Sequence, residues 1–346
     1  MLHELAERVS LWLDADRKVV LVRAVETWGF GSRHTDEVLL VDDTGDIAGR
    51  VGGTSASGRI RDELGATMLG HEPSGAQFVT ADVSRVEAAG EGLTCGGAVR
   101  ALAQRIDTAP PLLWEALKRR EAVVLVTTAS EGLEPPPWAV ITSDSVAGDL
   151  DAFGSESDVA ALAVELLAAG TAARRVVDLD GVELLVELFA PTPRLLIVGL
   201  GELSEALDHQ GRLLGWDVTA SDELDDVLRQ LSPLGPGDAL VVLSHDAALD
   251  VPVITEAWAR RLGYIGALGS RRTQQARRDR LIDSGATDGQ VDGIFGPVGL
   301  DLGARTPAET ALSVFAEIVA HRSHRDAAPL RSHQGPIHLQ TAADQI

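Results

Sequence analysis

A single cysteine in 346 residues leaves no partner for an intrachain disulfide and excludes a cysteine-rich zinc or iron–sulfur site. That scarcity fits a reducing compartment. Basic residues are also in deficit: 30 Lys and Arg stand against 52 Asp and Glu, a net charge of −22. Nucleic-acid binding needs clustered cations to neutralise phosphates, so this balance argues against it, and solubility is explanation enough for the acidity. Long apolar runs are missing as well. The opening MLHELAERVSLWLDAD carries acids early and reads as an amphipathic helix, neither a signal peptide nor a membrane span. These absences predict a soluble, cytoplasmic protein. What the chain does have is 45% hydrophobic residues, enough for the cores of one large domain or two ordinary ones.

Ala190-Pro191-Thr192-Pro193 marks the expected boundary, because two prolines stop the strand VELLVELF ahead of a new apolar run. Beyond it strands and helices alternate. RLLIVG precedes a helix near 203–214, then come VTASD, a helix near 223–231, ALVVLS, a helix at about 252–262, YIGALG, and helices at about 271–284 and 307–321. That βαβ order predicts an α/β Rossmann-like domain over 194–324, with a parallel sheet covered on both faces. The first 190 residues read as an α+β domain with a degenerate internal repeat, about 17–105 and 121–190. VVLVRAVETWG at 19–29 resembles VVLVTTASEGL at 123–133, and each is followed by a short strand, a Gly-containing turn and a small-residue helix, near Ser55 and near Ser157. Repeated strands offer edges that a homodimer would cover. Residues 325–346 lack helical periodicity and read as an extended C-terminal tail.

The most informative string is RLLIVGLGELS at 194–204. Gly199 permits a tight turn after a buried strand, Gly201 lets a ligand approach the backbone, and the next helix aims its positive end at an anion. The third fingerprint position is Ser204 instead of Gly or Ala. Asp222 follows after about 23 residues, near the spacing at which an acid receives ribose hydroxyls. Three further turns fall at strand ends. His245 and Asp246 follow ALVVLS and suit an anionic ligand or acid/base chemistry, or else cap the next helix. In GALGSRRT, Gly269 frees the backbone and Ser270 caps a helix whose first turn holds Arg271 and Arg272. The macrodipole opposes cations there, so a bound phosphate or carboxylate explains them better. The alternative is a solvated face, since Arg277, Arg278 and Arg280 continue the basic run. In GPVGLDLGARTPAET, Thr306, Pro307 and Glu309 form a capping box, whereas Gly296, Gly299, Gly303 and Arg305 read as a ligand-wrapping loop. In the first half, Cys95 sits in GLTCGG, where a thiolate would suit soft metal or sulfur chemistry, or a small core residue. Thr54 and Ser55 in VGGTSASGR suit capping. Trp28 reads as a packing residue.

Together these strings resemble the XdhC/CoxI family, accessory factors for xanthine dehydrogenase and carbon monoxide dehydrogenase. The likeness is strongest in RLLIVGLG, VVLSHD, GYIGALGSRRT and GPVGLDLGARTPAE, with looser agreement in TWGFGSR, LLVDDTGDIAG, VGG and CGG. It implies a protein that binds the molybdenum cofactor, as molybdopterin or its dinucleotide, and holds it while the terminal sulfido ligand is installed. Handing it to the apo-enzyme of a molybdenum hydroxylase would follow. It implies a carrier more than a turnover enzyme, with a cysteine desulfurase as a further partner, and Cys95 as the metal or sulfur ligand. The chain departs from the family at Thr54, where a cysteine is usual, at Ala56, where an acid is usual, and at Glu202, in place of the histidine of Gly-x-Gly-His. Two alternatives stand beside this reading. An NAD(P)-binding oxidoreductase would use Gly199, Gly201 and Asp222 equally well, and a nonenzymatic scaffold or sensor would need none of the lost groups.

Overall fold

The computed structural model describes residues 2–29, 37–69, 75–91, 96–132 and 137–332. The chain forms two compact units, the first built essentially from residues before Thr192 and the second from Thr192 onward. Among the described residues no helix is long and apolar enough to cross a membrane.

The first unit opens with α1 (Leu2–Asp14), β1 (Val19–Trp28), β2 (Val38–Asp42), β3 (Ile47–Gly49), α2 (Thr54–Thr67), β4 (Ala76–Val83), α3 (Arg85–Gly90) and β5 (Gly97–Arg105). It continues with α4 (Leu112–Lys118), β6 (Val123–Thr128), β7 (Trp138–Ile141), β8 (Val146–Gly148), α5 (Glu156–Ala169), β9 (Ala173–Leu179) and β10 (Val182–Phe189). The strands make two antiparallel sheets of the same order, β3-β2-β1-β5-β4 and β8-β7-β6-β10-β9. Runs such as VVLV are apolar at every position because both faces of each sheet are covered. Val20, Val22, Leu39 and Val41 meet α2. Val124, Val126, Leu184 and Val186 meet α5. Between the sheets, Val19, Leu21, Val123 and Leu125 pack with α1 and α4.

A polar cluster is sealed into this inter-sheet layer. Arg23 donates to Glu187 Oε2 at 2.6 Å and to Gln104, and Gln104 donates to Thr127 Oγ1 at 2.9 Å. Arg174 reaches the other oxygen of Glu187 and the Ala24 carbonyl. In register Gln104 lies opposite Leu21 and Glu187 opposite Leu125, while Arg23 lies opposite Leu102 and Thr127 opposite Leu185. The pairs Arg23–Glu187 and Thr127–Gln104 therefore occupy corresponding positions with the sheets exchanged. Of the first unit's tryptophans, Trp12, Trp114 and Trp138 are buried, whereas Trp28, at the end of β1, is 48% exposed. Packing therefore does not account for Trp28. The strand has left the inter-sheet layer by that point.

The string VDDTGD has a local cause. Asp42 is fully buried, and its carboxylate accepts from the Thr44 and Asp46 amides, the Thr44 hydroxyl and Arg17, closing the β2–β3 hairpin. Burial pushes its pKa up, but the hydrogen bonds from Thr44 and Arg17 and from the two amides outweigh that and hold it below the ordinary 3.8. A depressed folded-state pKa contributes stability above the unfolded value of about 3.9, and that stability is lost as pH falls through the folded value. The Asp42→Asn variant should be less stable by about 2 kcal/mol at pH 7. Its stability should also fall less between pH 5 and pH 2 than the parent's, read as urea midpoints across that range.

The second unit contains β11 (Arg194–Val198), α6 (Glu202–Leu213), β12 (Asp217–Ser221), α7 (Leu224–Leu231), β13 (Ala239–Val242), α8 (Ala247–Ala259), β14 (Tyr264–Ala267), α9 (Arg271–Asp283), α10 (Asp288–Asp292) and α11 (Pro307–Arg322). Its sheet is parallel, in the order β12-β11-β13-β14. Leu196 and Val198 face α7 and α8, and Leu195 and Ile197 face α6 and α11, so helices cover both sides. α8 begins five residues before the sequence expectation, because Asp246 caps it and Pro252 lies inside it. A short bridge, Gly266 to Phe295, continues the parallel edge beyond β14. The tail is described only to Ser332, ending in a single 3₁₀ turn, Leu330–Ser332, and the rest of 325–346 lies outside the described residues.

Candidate functional site

The chain passes from β11 to β12 on one side and then crosses to β13 on the other. The carboxyl ends of β11 and β13 thus form the switch point at which open α/β sheets place ligands. Hydrogen bonds set five turns in a row along this edge. Gly199 N donates to Ser221 O at 2.8 Å, placing Asp222 beside the Gly-x-Gly turn. Leu243 N and Ser244 N donate to Val198 O at 2.9 and 3.2 Å. Leu268 N donates to Val242 O at 2.7 Å, and Val298 N to Ala267 O at 3.1 Å. Asp222, Gly199, Gly201, His245, Asp246, Gly269, Ser270, Arg271, Arg272 and Gly299 therefore lie at one end of one sheet.

Gly201 has φ 136° and ψ −172°, a conformation essentially restricted to glycine, and a Cβ there would meet nothing within 4 Å. The space it leaves is open, so the requirement is conformational. Gly201 is also the N-cap of α6 and supplies no side-chain cap, which leaves the first amides of that helix without an acceptor among the described residues. Ser204 is buried, and its hydroxyl turns back onto the Gly201 carbonyl at 2.8 Å.

The other turns divide between structural and unassigned groups. Asp246 accepts from Ala248 N at 2.9 Å, and Ser270 from Thr273 N at 3.2 Å, so both cap helices. Asp222, His245, Arg271, Arg272 and Arg305 are exposed, and none of the three arginines has an ion pair among the described residues. Gly299, at φ 103°, has a packing reason: a Cβ would lie 2.5 Å from Ser313 Oγ. Its amide donates to Glu317 at 2.9 Å, and the Tyr264 hydroxyl donates to the same oxygen at 2.6 Å. Burial, together with that carboxylate, pushes the Tyr264 pKa far above its usual value. The glycine-rich loop is thus held against α11 by Glu317, a role the sequence did not disclose. A cavity of about 400 Å³ opens along the flank of α9, bordered by Arg271, Arg278, Asp292 and Pro297, and its walls do not include the Gly-x-Gly turn.

Arg277 corrects an expectation. It is not part of a solvated face; only 2% of it is exposed, and it pairs with Asp250, itself 2% exposed, at 3.0 Å. Burial raises the Asp250 pKa and Arg277 pulls it down. The inward spacing of Gln274, Arg277 and Leu281 at i, i+3 and i+7 was the available signal, masked by the four other arginines of the helix. Cys95 lies outside the described residues. Among the described residues no group of three His, Cys, Asp or Glu side chains could hold a metal ion.

Residues 195–318, nearly the whole of the second unit's sheet and helices, match the XdhC Rossmann domain. Over 138 residues the chain is 30% identical to the molybdenum cofactor insertion chaperone PaoD of Escherichia coli (strain K12), covering 40% of this chain and 43% of that one. Over 156 residues it is 30% identical to a probable xanthine dehydrogenase subunit of Bacillus subtilis (strain 168), covering 40% and 45%. The matches thus span less than half the length of these relatives. A crystal structure of a xanthine dehydrogenase from Bacillus halodurans superposes with a TM-score of 0.56 at 20% identity, over 95% of this chain and 98% of that one, a likeness of fold. Residues 195–318 thus form an XdhC Rossmann domain, and it is this domain that carries the order of turns described above.

Proposed function

We propose that the chain binds the molybdenum cofactor and serves its maturation and insertion into a xanthine dehydrogenase- or carbon monoxide dehydrogenase-type hydroxylase, as a carrier and not a turnover enzyme. The observation that supports this is the edge of the parallel sheet. An uncapped helix start gathers there with Arg271 and Arg272, which have no ion pair among the described residues, in a chain whose net charge is −22. Such an edge suits the phosphate of a pterin cofactor. The Gly199–Gly201 turn and the α6 amides would hold the phosphate, with Arg271 and Arg272 neutralising it. The bound cofactor would supply the metal and its sulfur chemistry. This domain's own contribution is to bind, orient and shield. Cys95 remains the proposed contact to metal or sulfur, and a cysteine desulfurase the proposed source of sulfur. PaoD, named as a molybdenum cofactor insertion chaperone, supports the reading by similarity.

Asp222 favours a second reading. An exposed carboxylate beside the Gly-x-Gly turn is placed to take ribose hydroxyls, which suits a pterin dinucleotide but also NAD. One preparation separates the two. Protein purified anaerobically from molybdate-replete cells should release near-stoichiometric oxidised pterin and carry molybdenum by mass spectrometry. Absence of both, with NAD(H) retained, would overturn the cofactor reading in favour of the dinucleotide one.

A further inference from the structure

One buried guanidinium holds two of the turns that border the switch point. Arg277 Nη2 donates to Ser244 O at 3.1 Å, and Nη1 to Leu268 O at 3.2 Å and to Gln274 Oε1 at 2.7 Å. Its Nε donates to Asp250 Oδ2 at 3.0 Å. Gln274 donates in turn to Ala267 O at 2.8 Å and Gly269 O at 3.3 Å. In a trans peptide the carbonyl and the following N–H point in opposite directions. Drawing the Ser244 and Leu268 carbonyls inward therefore turns the His245 and Gly269 amides outward. Neither amide has an acceptor among the described residues, although the neighbouring Ser244 and Leu268 amides are both bonded. A guanidinium suits this role because its fixed fork serves several acceptors at once, and Asp250 neutralises its charge.

We propose that Arg277 is a positioning residue that presents the His245 and Gly269 amides as a backbone cradle for a phosphate-type oxyanion at the switch point. The cradle stands apart from the α6 amides and adds to them. The inference rests on the anion reading of this edge given above. The ligand class is a phosphate ester or diphosphate. Arg277 touches none of it.

The test is an amide-resolved NMR titration of the full chain with inorganic pyrophosphate. In the parent protein the His245 and Gly269 amides should shift together with those of Glu202 and Leu203. In Arg277→Met the first pair should cease to respond while the α6 amides still do, and the affinity should fall about tenfold. Arg277→Lys, whose ammonium cannot span both carbonyls, should keep one response of the two. A parent titration in which only the α6 amides move overturns the cradle and leaves the anion reading standing. One in which no amide moves overturns the anion reading itself. Unaltered His245 and Gly269 responses in Arg277→Met also overturn the role of Arg277. If that variant does not fold, the parent titration and Arg277→Lys decide the matter.

Discussion

Glu187→Gln should be among the most destabilising single substitutions in the first unit, at about 3–5 kcal/mol, because it breaks a buried ion pair from one side only. Glu187 is 1% exposed and accepts from both Arg23 and Arg174. An amide in its place presents a donor where two guanidinium groups already donate. Burial, and to a smaller extent the neighbouring Arg174 charge, push the Arg23 guanidinium below its ordinary pKa, with Glu187 opposing them, so the cation depends on its partner. The corresponding pair in the other direction, Thr127 with Gln104, is neutral. That neutral pair supplies a control. In Arg23→Thr with Glu187→Gln, both positions carry the residues found at their counterparts, and the orphaned Arg23 charge is gone. The double variant should be more stable than the sum of the single losses predicts, by about 1 kcal/mol or more. Urea unfolding followed by tryptophan emission reads the first unit mainly, since Trp12, Trp28, Trp114 and Trp138 all belong to it. Simple additivity of the two losses would show that Glu187 acts by shape and not by charge.

The parallel sheet was legible because its signals are local. RLLIV, ALVV and YIGA are short apolar runs, each ending at a glycine or polar turn, and α8, α9 and α11 carry side-chain caps of their own. Thr306 and Ser270 cap as their spacing indicates. The start of α8 was misplaced because Pro252 resembles a first-turn proline, while Asp246, already considered as a ligand, is the cap. Arg277 and Asp250 could not be paired from sequence. They lie on different helices, and burial of a charge depends on a partner 27 residues away. Glu317 was hidden for the same reason: its meaning comes from Gly299 and Tyr264, which reach it from a loop and a strand. The phosphate end of the candidate site was readable because it is built from contiguous turns, and its fastenings were not because they are made across the fold.

The double variant Arg271→Ala, Arg272→Ala should separate binding from stability by moving them in opposite directions. Both side chains are exposed, lack ion pairs among the described residues, and occupy the first turn of α9. The positive end of a helix repels cations, so removing two of them should leave stability unchanged or raise it by about 0.3–1 kcal/mol. If they neutralise a phosphate, each forms a charge-assisted contact of about 1.5–3 kcal/mol, and losing both should lower retention of pterin and molybdenum by about 100-fold or more. Arg280→Ala is the matched comparison. It removes one exposed cation from the last turn of the same helix, where a cation is favoured, so stability should fall slightly and cofactor retention should not change. Thermal midpoints and released pterin, measured on the same preparations, decide between the two roles. A double variant that retains cofactor at the parental level would return Arg271 and Arg272 to the solvated face of α9. One that loses cofactor while melting no lower would show that this helix carries its opening arginines for a ligand, at a cost to its own stability.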